Sequence, residues 1–286
     1  MAVQWRSSWV KTGNIRTHYS EAGTEGPPVI LLHGAGPGSS GAAGFRFMIP
    51  ALAPHFRVYA PDQVSFGQTD MSDPSARPRN GIQSLVDHTA DFIDALCLDN
   101  VLIVGNSQGA YVASKYALDN PGKVAKLFLI GSATIAWAMG IPPIATPGMK
   151  ALREYDGTEK AMRVFLEAIV SDVSTVTDAL VKNRNDAYHL PGVPEATKML
   201  GETRVKVAED PDWRQRYSLE GRLDKLTVPT KFVWGANDRF APPELAHQLQ
   251  PKLPNIKIEF IDNAGHQVQT DQPDLVNQMV IDFFKS

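Results

Sequence analysis

Three residues far apart in this chain have the types and settings for acyl-transfer chemistry. Gly105-Asn106-Ser107-Gln108-Gly109 reads G-x-S-x-G and falls directly between an apolar run, Val101-Leu102-Ile103-Val104, and a helical pattern reaching about Asp119. A serine at so sharp a strand-to-helix turn sits on strained backbone, so the positions two before and two after it must be small, as Gly105 and Gly109 are. The helix opening at Gln108 aims its amides and positive dipole end at the serine, where a developing oxyanion would be stabilised. A hydroxyl near its free pKa is a weak nucleophile, so Ser107 needs a base, and the base needs an acid to orient it.

The order expected on such a chain is Ser, then Asp or Glu, then His. Asp238 lies in Trp234-Gly235-Ala236-Asn237-Asp238-Arg239-Phe240, just past the strand run Lys231 to Trp234, and His266 closes Asn263-Ala264-Gly265-His266 past the run Ile256 to Ile261. Both stand where open α/β sheets place their chemistry, at strand carboxyl ends. The competing acids are less suited, because Asp224 precedes its strand and Asp262 is only four residues before His266. His18, His55, His88, His189 and His247 read as ordinary polar residues.

A second loop, Gly36-Pro37-Gly38-Ser39-Ser40-Gly41, formally matches the dinucleotide fingerprint G-x-G-x-x-G, with Asp62 about twenty residues on. Against nucleotide binding, His33-Gly34-Ala35 separates the strand from the glycines and Pro37 removes an amide. The better expectation is the second half of an oxyanion hole: an amide of Ala35 or Gly36 joining that of Gln108, with His33 orienting the loop by hydrogen bonds.

The elements that must position these residues alternate in type. Gly13-Asn14 between Trp9-Val10-Lys11 and Ile15 to Tyr19 signals a hairpin; Val29-Ile30-Leu31-Leu32 and Phe56 to Ala60 read as strands; Ser84 to Leu98 has helical spacing; and Lys126 to Ile130 is a further strand. From about Thr134 to Arg216 no buried strand is apparent, only Pro-rich connections and helical stretches such as Lys160 to Val170 and Thr177 to Tyr188. The α/β pattern then resumes, with helices near Pro243 to Leu249 and from Pro273 to Phe284. The expectation is a mostly parallel sheet flanked by helices, divided as core 1–133, inserted helical cap 134–217 and core 218–286. Of the apolar cap residues Trp137, Met139, Ile141, Met149, Phe165 and Ile169, most are expected to form cap core rather than pocket wall.

Composition narrows the function further. At 286 residues the chain holds about two domains or one large α/β unit, and its formal net charge of −3 gives no basic surplus for nucleic acid or anionic membrane. Its single cysteine, Cys97, excludes an internal disulfide framework and any multi-cysteine metal cluster. With no signal-like apolar segment at the start and no run of about 18 apolar residues, the expectation is a cytoplasmic enzyme acting on a small molecule, alone or as a simple homo-oligomer.

With these residues assembled, the chain resembles the α/β-hydrolase superfamily over nearly its full length. Within it, His33-Gly34-Ala35-Gly36-Pro37-Gly38-Ser39-Ser40-Gly41 together with Gly105-Asn106-Ser107 is similar to the meta-cleavage-product hydrolases, which cut a carbon–carbon bond in ring-fission products of aromatic compounds. That resemblance implies the α/β-hydrolase fold, no metal or organic cofactor, and hydrolysis of a 2-hydroxy-6-oxohexa-2,4-dienoate to a 2-hydroxypentadienoate and a carboxylic acid. It further implies that Asn106 contacts the dienoate, that Arg184 in the cap binds or tautomerises it, and that Phe240 lines the pocket.

Three departures bear on the substrate rather than on the triad: Gln267 where many members have Trp, Gly44 where many have Asn, and Ser65 where glycine is usual. They keep open an esterase or lactonase with the same triad, and behind it a non-catalytic ligand receptor on the same fold. The dehalogenase and epoxide-hydrolase alternatives need an aspartate nucleophile where this chain has Ser107.

Overall fold

The computed structural model describes residues 5–286. Eight strands form one sheet in the order β1-β2-β4-β3-β5-β6-β7-β8, comprising β1 (Arg6–Thr12), β2 (Ile15–Ala22), β3 (Pro28–Leu32), β4 (Arg57–Pro61), β5 (Val101–Asn106), β6 (Val124–Ile130), β7 (Thr230–Gly235) and β8 (Ile258–Ile261). The β1–β2 hairpin turns at Gly13 as the sequence suggests; β2 pairs antiparallel with β4, and every later pairing is parallel.

The apolar runs are continuous because the central strands are covered on both faces. Alternate residues divide between two cores: Ile30, Leu32 and Ile103 join a cluster with Leu85, Phe92 and Val112 from the helices Gln83–Ala95 and Gln108–Asp119. Leu31, Leu102 and Val104 pack instead with Met48, Leu52, Val276 and Val280 from the helices Met48–Leu52 and Pro273–Lys285. Each such wholly buried aliphatic side chain stabilises the fold by about 1.5–3 kcal/mol.

Several boundaries differ from the sequence expectation, three of them with a clear physical reason. β5 continues through Gly105 and Asn106, which pair with Leu129 and Ile130, because the missing side chain at Gly105 does not interrupt a ladder. The helix expected to reach Leu98 stops at Ala95, since Cys97 turns out of it at φ 52°. The last strand begins at Ile258, as Ile256 is held in a turn by the hydrogen bond its amide donates to Leu253 O.

Between β6 and β7 the described chain forms only helices, including Ala133–Ala138, Pro147–Arg153, Glu159–Ala168, Asp178–Tyr188, Val193–Glu209 and Pro211–Tyr217. Several of them share a core of their own around Met162, Phe165, Leu166, Ile169 and Val181. The last is fastened to the helix Gln108–Asp119 by Tyr217, whose ring stacks on Tyr111 at 5.0 Å and whose carbonyl accepts the Tyr111 hydroxyl at 2.8 Å. Among the described residues no helix is long and apolar enough to cross a membrane.

Candidate active site

Parallel pairing delivers the ends of β3, β5, β7 and β8 to one edge of the sheet, so Gly34–Gly41, Ser107, Asp238 and His266 emerge together. Ser107 stands between β5 and the helix at φ 57°, ψ −119°. That strain is held from both sides: its amide donates to Ile130 O at 2.9 Å, and its carbonyl accepts the Ser132 hydroxyl at 2.6 Å. The flanking glycines are obligatory, since a Cβ at Gly105 would lie 2.5 Å from Gly109 O and one at Gly109 would lie 2.0 Å from Leu32 O.

Asp238 and His266 meet as the sequence order requires. His266 Nδ1–H donates to Asp238 Oδ2 at 2.8 Å, while Oδ1 of the same carboxylate accepts the amides of Phe240 at 2.8 Å and Ala241 at 2.7 Å. The buried acid is thus fixed in position by three donors, and the imidazole tautomer leaves Nε2 as an acceptor. Among the described residues neither His266 Nε2 nor Ser107 Oγ has a hydrogen-bond partner, and both residues border one small pocket of about 50 Å³. Phe240 lies against the imidazole, ring centroids 4.6 Å apart, and borders the pocket.

The structure separates the two loop amides that the sequence left as alternatives. Gly36 N donates to Ser39 Oγ at 3.1 Å and is thereby engaged, whereas the amides of Ala35 and Gln108 have no acceptor among the described residues. His33 does orient this loop: its Nδ1–H donates to Gly34 O at 2.8 Å and its Nε2 accepts the Gln63 amide at 3.1 Å. Burial pushes its pKa down to about 4, which keeps the ring neutral in that double role.

Arg184 explains the glycines. Its Nη2 donates to Pro37 O at 2.7 Å and Ser39 Oγ at 2.8 Å, and a Cβ at Gly38 would fall 1.7 Å from Arg184 O. The loop offers a carbonyl to a cation, the opposite polarity to a phosphate cradle, and Asp62 is occupied with the Gly41 amide at 2.8 Å. The arginine is 3% exposed with no carboxylate at ion-pair distance among the described residues, and burial lowers its pKa to about 10. Asn106 is turned differently from a simple ligand-binding amide: its Nδ2 donates to His266 O at 3.1 Å and Ile130 O at 3.3 Å, tying β5 to the histidine loop.

Of the apolar cap residues, Trp137, Met149, Phe165 and Ile169 line the small pocket, more than the core-biased expectation allowed. Phe165 and Ile169 do both, packing in the cap core while facing the site. Arg204 was missed altogether. It borders the same pocket and gives Nη2–H to Gln108 Oε1 at 2.7 Å, but nothing in the local run Thr203-Arg204-Val205 distinguishes it from a solvated helix arginine.

Comparisons with known proteins agree with this fold. Residues 27–273 match the family described as alpha/beta hydrolase fold. A Pseudomonas putida 2-hydroxy-6-oxononadienedioate/2-hydroxy-6-oxononatrienedioate hydrolase is 33% identical, covering 95% of this chain and 92% of its own length. A 2-hydroxy-6-oxo-2,4-heptadienoate hydrolase of a Pseudomonas putida strain is 32% identical over 96% and 94%. Among solved structures, a meta-cleavage product hydrolase from Pseudomonas fluorescens IP01 superposes with TM-score 0.80 at 30% identity, covering 99% of this chain and 98% of that one. The chain belongs to the α/β hydrolase fold family and, within it, to the meta-cleavage product hydrolases.

Proposed function

We propose that this protein is a serine hydrolase that cleaves the carbon–carbon bond of a 2-hydroxy-6-oxohexa-2,4-dienoate with water, releasing a 2-hydroxypentadienoate and a carboxylic acid. Arg184 carries the reading. A buried guanidinium without a carboxylate partner, beside the loop that faces Ser107, is suited to hold the carboxylate end of such a substrate. Carbanions leave poorly, so the dienol must first become a ketone able to accept the electron pair, and only then is the C6 carbonyl open to attack. His266 acts as base for Ser107 and as proton carrier, oriented by Asp238. The amides of Ala35 and Gln108 are assigned to the tetrahedral oxygen, a donor there being worth about 2.7–4 kcal/mol. Asn106 serves by holding the His266 loop, and Phe240 by covering the imidazole and the substrate chain.

The same proposal divides the chain into core 1–133, cap 134–217 and core 218–286, supported by the separate apolar cluster among the cap helices. It includes a cytoplasmic location, consistent with the lone Cys97, and assembly through the sheet edge at β1, where Trp9 is 40% exposed; light scattering would read the assembly.

The direct test is kcat/KM on yellow 2-hydroxy-6-oxo dienoates against 4-nitrophenyl esters. The proposal expects the dienoates to be favoured at least tenfold; turnover of the esters alone would replace it with the esterase reading.

A further inference from the structure

Beside the small pocket lies a second cavity of about 800 Å³, and the two share Thr134, Trp137 and Arg204. By volume the small pocket has room for only a few waters. A substrate whose reacting carbonyl lies at Ser107 must therefore extend past those three residues into the larger space. Two buried N–H donors without an acceptor and the exposed Arg204 guanidinium stand at this junction. Gln108 is 1% exposed with its Oε1 held by Arg204, and its Nε2 is buried and unpartnered. The indole Nε1 of Trp137 is likewise buried and unpartnered. The Arg204 guanidinium gives one bond to Gln108 and has no carboxylate at ion-pair distance among the described residues. Two buried donors left without an acceptor, beside a guanidinium with no carboxylate partner, mark a place built for an acceptor.

The charge of the larger cavity agrees. Lys115, Arg204, Arg214, Arg216 and Arg222 line it and no Asp or Glu does, although the chain carries a net charge of −3. Lys115 and Arg222 are shared with Asp119, which leaves Arg204, Arg214 and Arg216 to set the field. A cleft lined by one sign of charge draws in the opposite sign.

We infer that Arg204, with the Trp137 and Gln108 side-chain donors, forms a second anion subsite for the acyl end of the substrate, so that the preferred substrate is a dianion bearing a carboxylate at each end. This rests on the proposed dienoate reading, with Arg184 taking the dienoate carboxylate. The relatives' names differ at this end of the molecule, some being dienedioate hydrolases and one a heptadienoate hydrolase. Arg204 is the side chain that selects the first kind.

The test is a ratio: kcat/KM for a dienoate whose acyl end is a carboxylate, divided by that for one ending in methyl, in the wild type, Arg204→Met and Trp137→Phe. A ratio taken on one preparation is independent of the folded fraction. Arg204→Met is expected to lower it about 10- to 100-fold, mainly through KM of the dianion, and Trp137→Phe by about threefold. The same ratio is read on 4-nitrophenyl hydrogen adipate against 4-nitrophenyl hexanoate. If the ester ratio moves while no dienoate is turned over, the Arg204 subsite stands and the carbon–carbon reading falls. If dienoates are cleaved but neither ratio moves, or if the wild type prefers the methyl-ended partner, the subsite is overturned and the activity stands.

Discussion

Two serine–histidine–aspartate chains run through this molecule. In one, Asp238 accepts from His266 at 2.8 Å and Ser107 borders the same pocket; in the other, Asp62 accepts from His18 Nδ1 at 2.8 Å and the Ser7 hydroxyl meets His18 Nε2 at 2.7 Å. By hydrogen bonding alone the second is the more complete, since Ser7 touches its histidine and Ser107 does not. The differences lie around the serines. Ser7 belongs to a regular strand, paired with Ser20 in the β1–β2 ladder, so its backbone groups are committed to the sheet or to solvent. Ser107 sits at φ 57° before a helix N-terminus, with two acceptor-free amides at hand and a pocket in front. The Asp62 carboxylate also accepts the amides of Gly41 and Gln68 at 2.8 Å each, which makes the second chain a brace between the hairpin, β4 and the glycine loop. What the contrast teaches is that a triad is defined by what faces the nucleophile's oxygen, not by the three side chains.

The largest expected effect separates the two serines: Ser107→Ala should lower kcat on the best substrate by about 10⁴-fold or more, and Ser7→Ala by less than about twofold, in steady-state assays of both. Next come the acids. Asp238→Asn keeps the shape but disturbs the histidine tautomer, with an expected loss of about 10³- to 10⁴-fold in kcat and little change in melting temperature. Asp62→Asn should do the reverse, costing about 2–4 kcal/mol in denaturant unfolding while kcat per folded molecule changes by less than about tenfold.

A third expectation concerns pH. Burial pushes the pKa values of His33 and His88 down to about 4, while in the unfolded chain they titrate near 6.5. The unfolded state therefore binds more protons between those values, and stability, complete above about pH 6.5, falls as the pH drops toward 4. Each ring contributes up to about 1.4 kcal/mol per pH unit. In thermal melts from pH 7.5 to 4.5, His88→Gln should flatten the slope relative to the wild type; an unchanged slope would refute the assignment.

The smallest effect is expected at Ser65, whose φ of 81° and buried, unpartnered hydroxyl show why glycine is the easier residue there. Ser65→Gly should stabilise the protein by about 1 kcal/mol in denaturant unfolding, with kcat unchanged.

The site's frame was legible because parallel strands carry their carboxyl ends to one edge, so Ser107, Asp238 and His266 could be placed by order and by the strand before each. The glycine loop was legible as a loop but not in its division of labour: that Gly36 N is engaged by Ser39, leaving Ala35, depends on a side-chain rotamer. Arg204 and the His18–Asp62 pair were illegible for a common reason. A helix arginine, a strand histidine and a loop aspartate have no local pattern marking which way they face. Their roles come from contacts across 96 positions in one case and 44 in the other.

The most direct measurement is covalent labelling. Incubation with an activated fluorophosphonate followed by peptide mass spectrometry should give one adduct, on the peptide that carries Ser107, with none at Ser7. An adduct at Ser7, or a protein that turns over substrate while Ser107 stays unlabelled, would contradict the assignment of the chemistry to the strained turn.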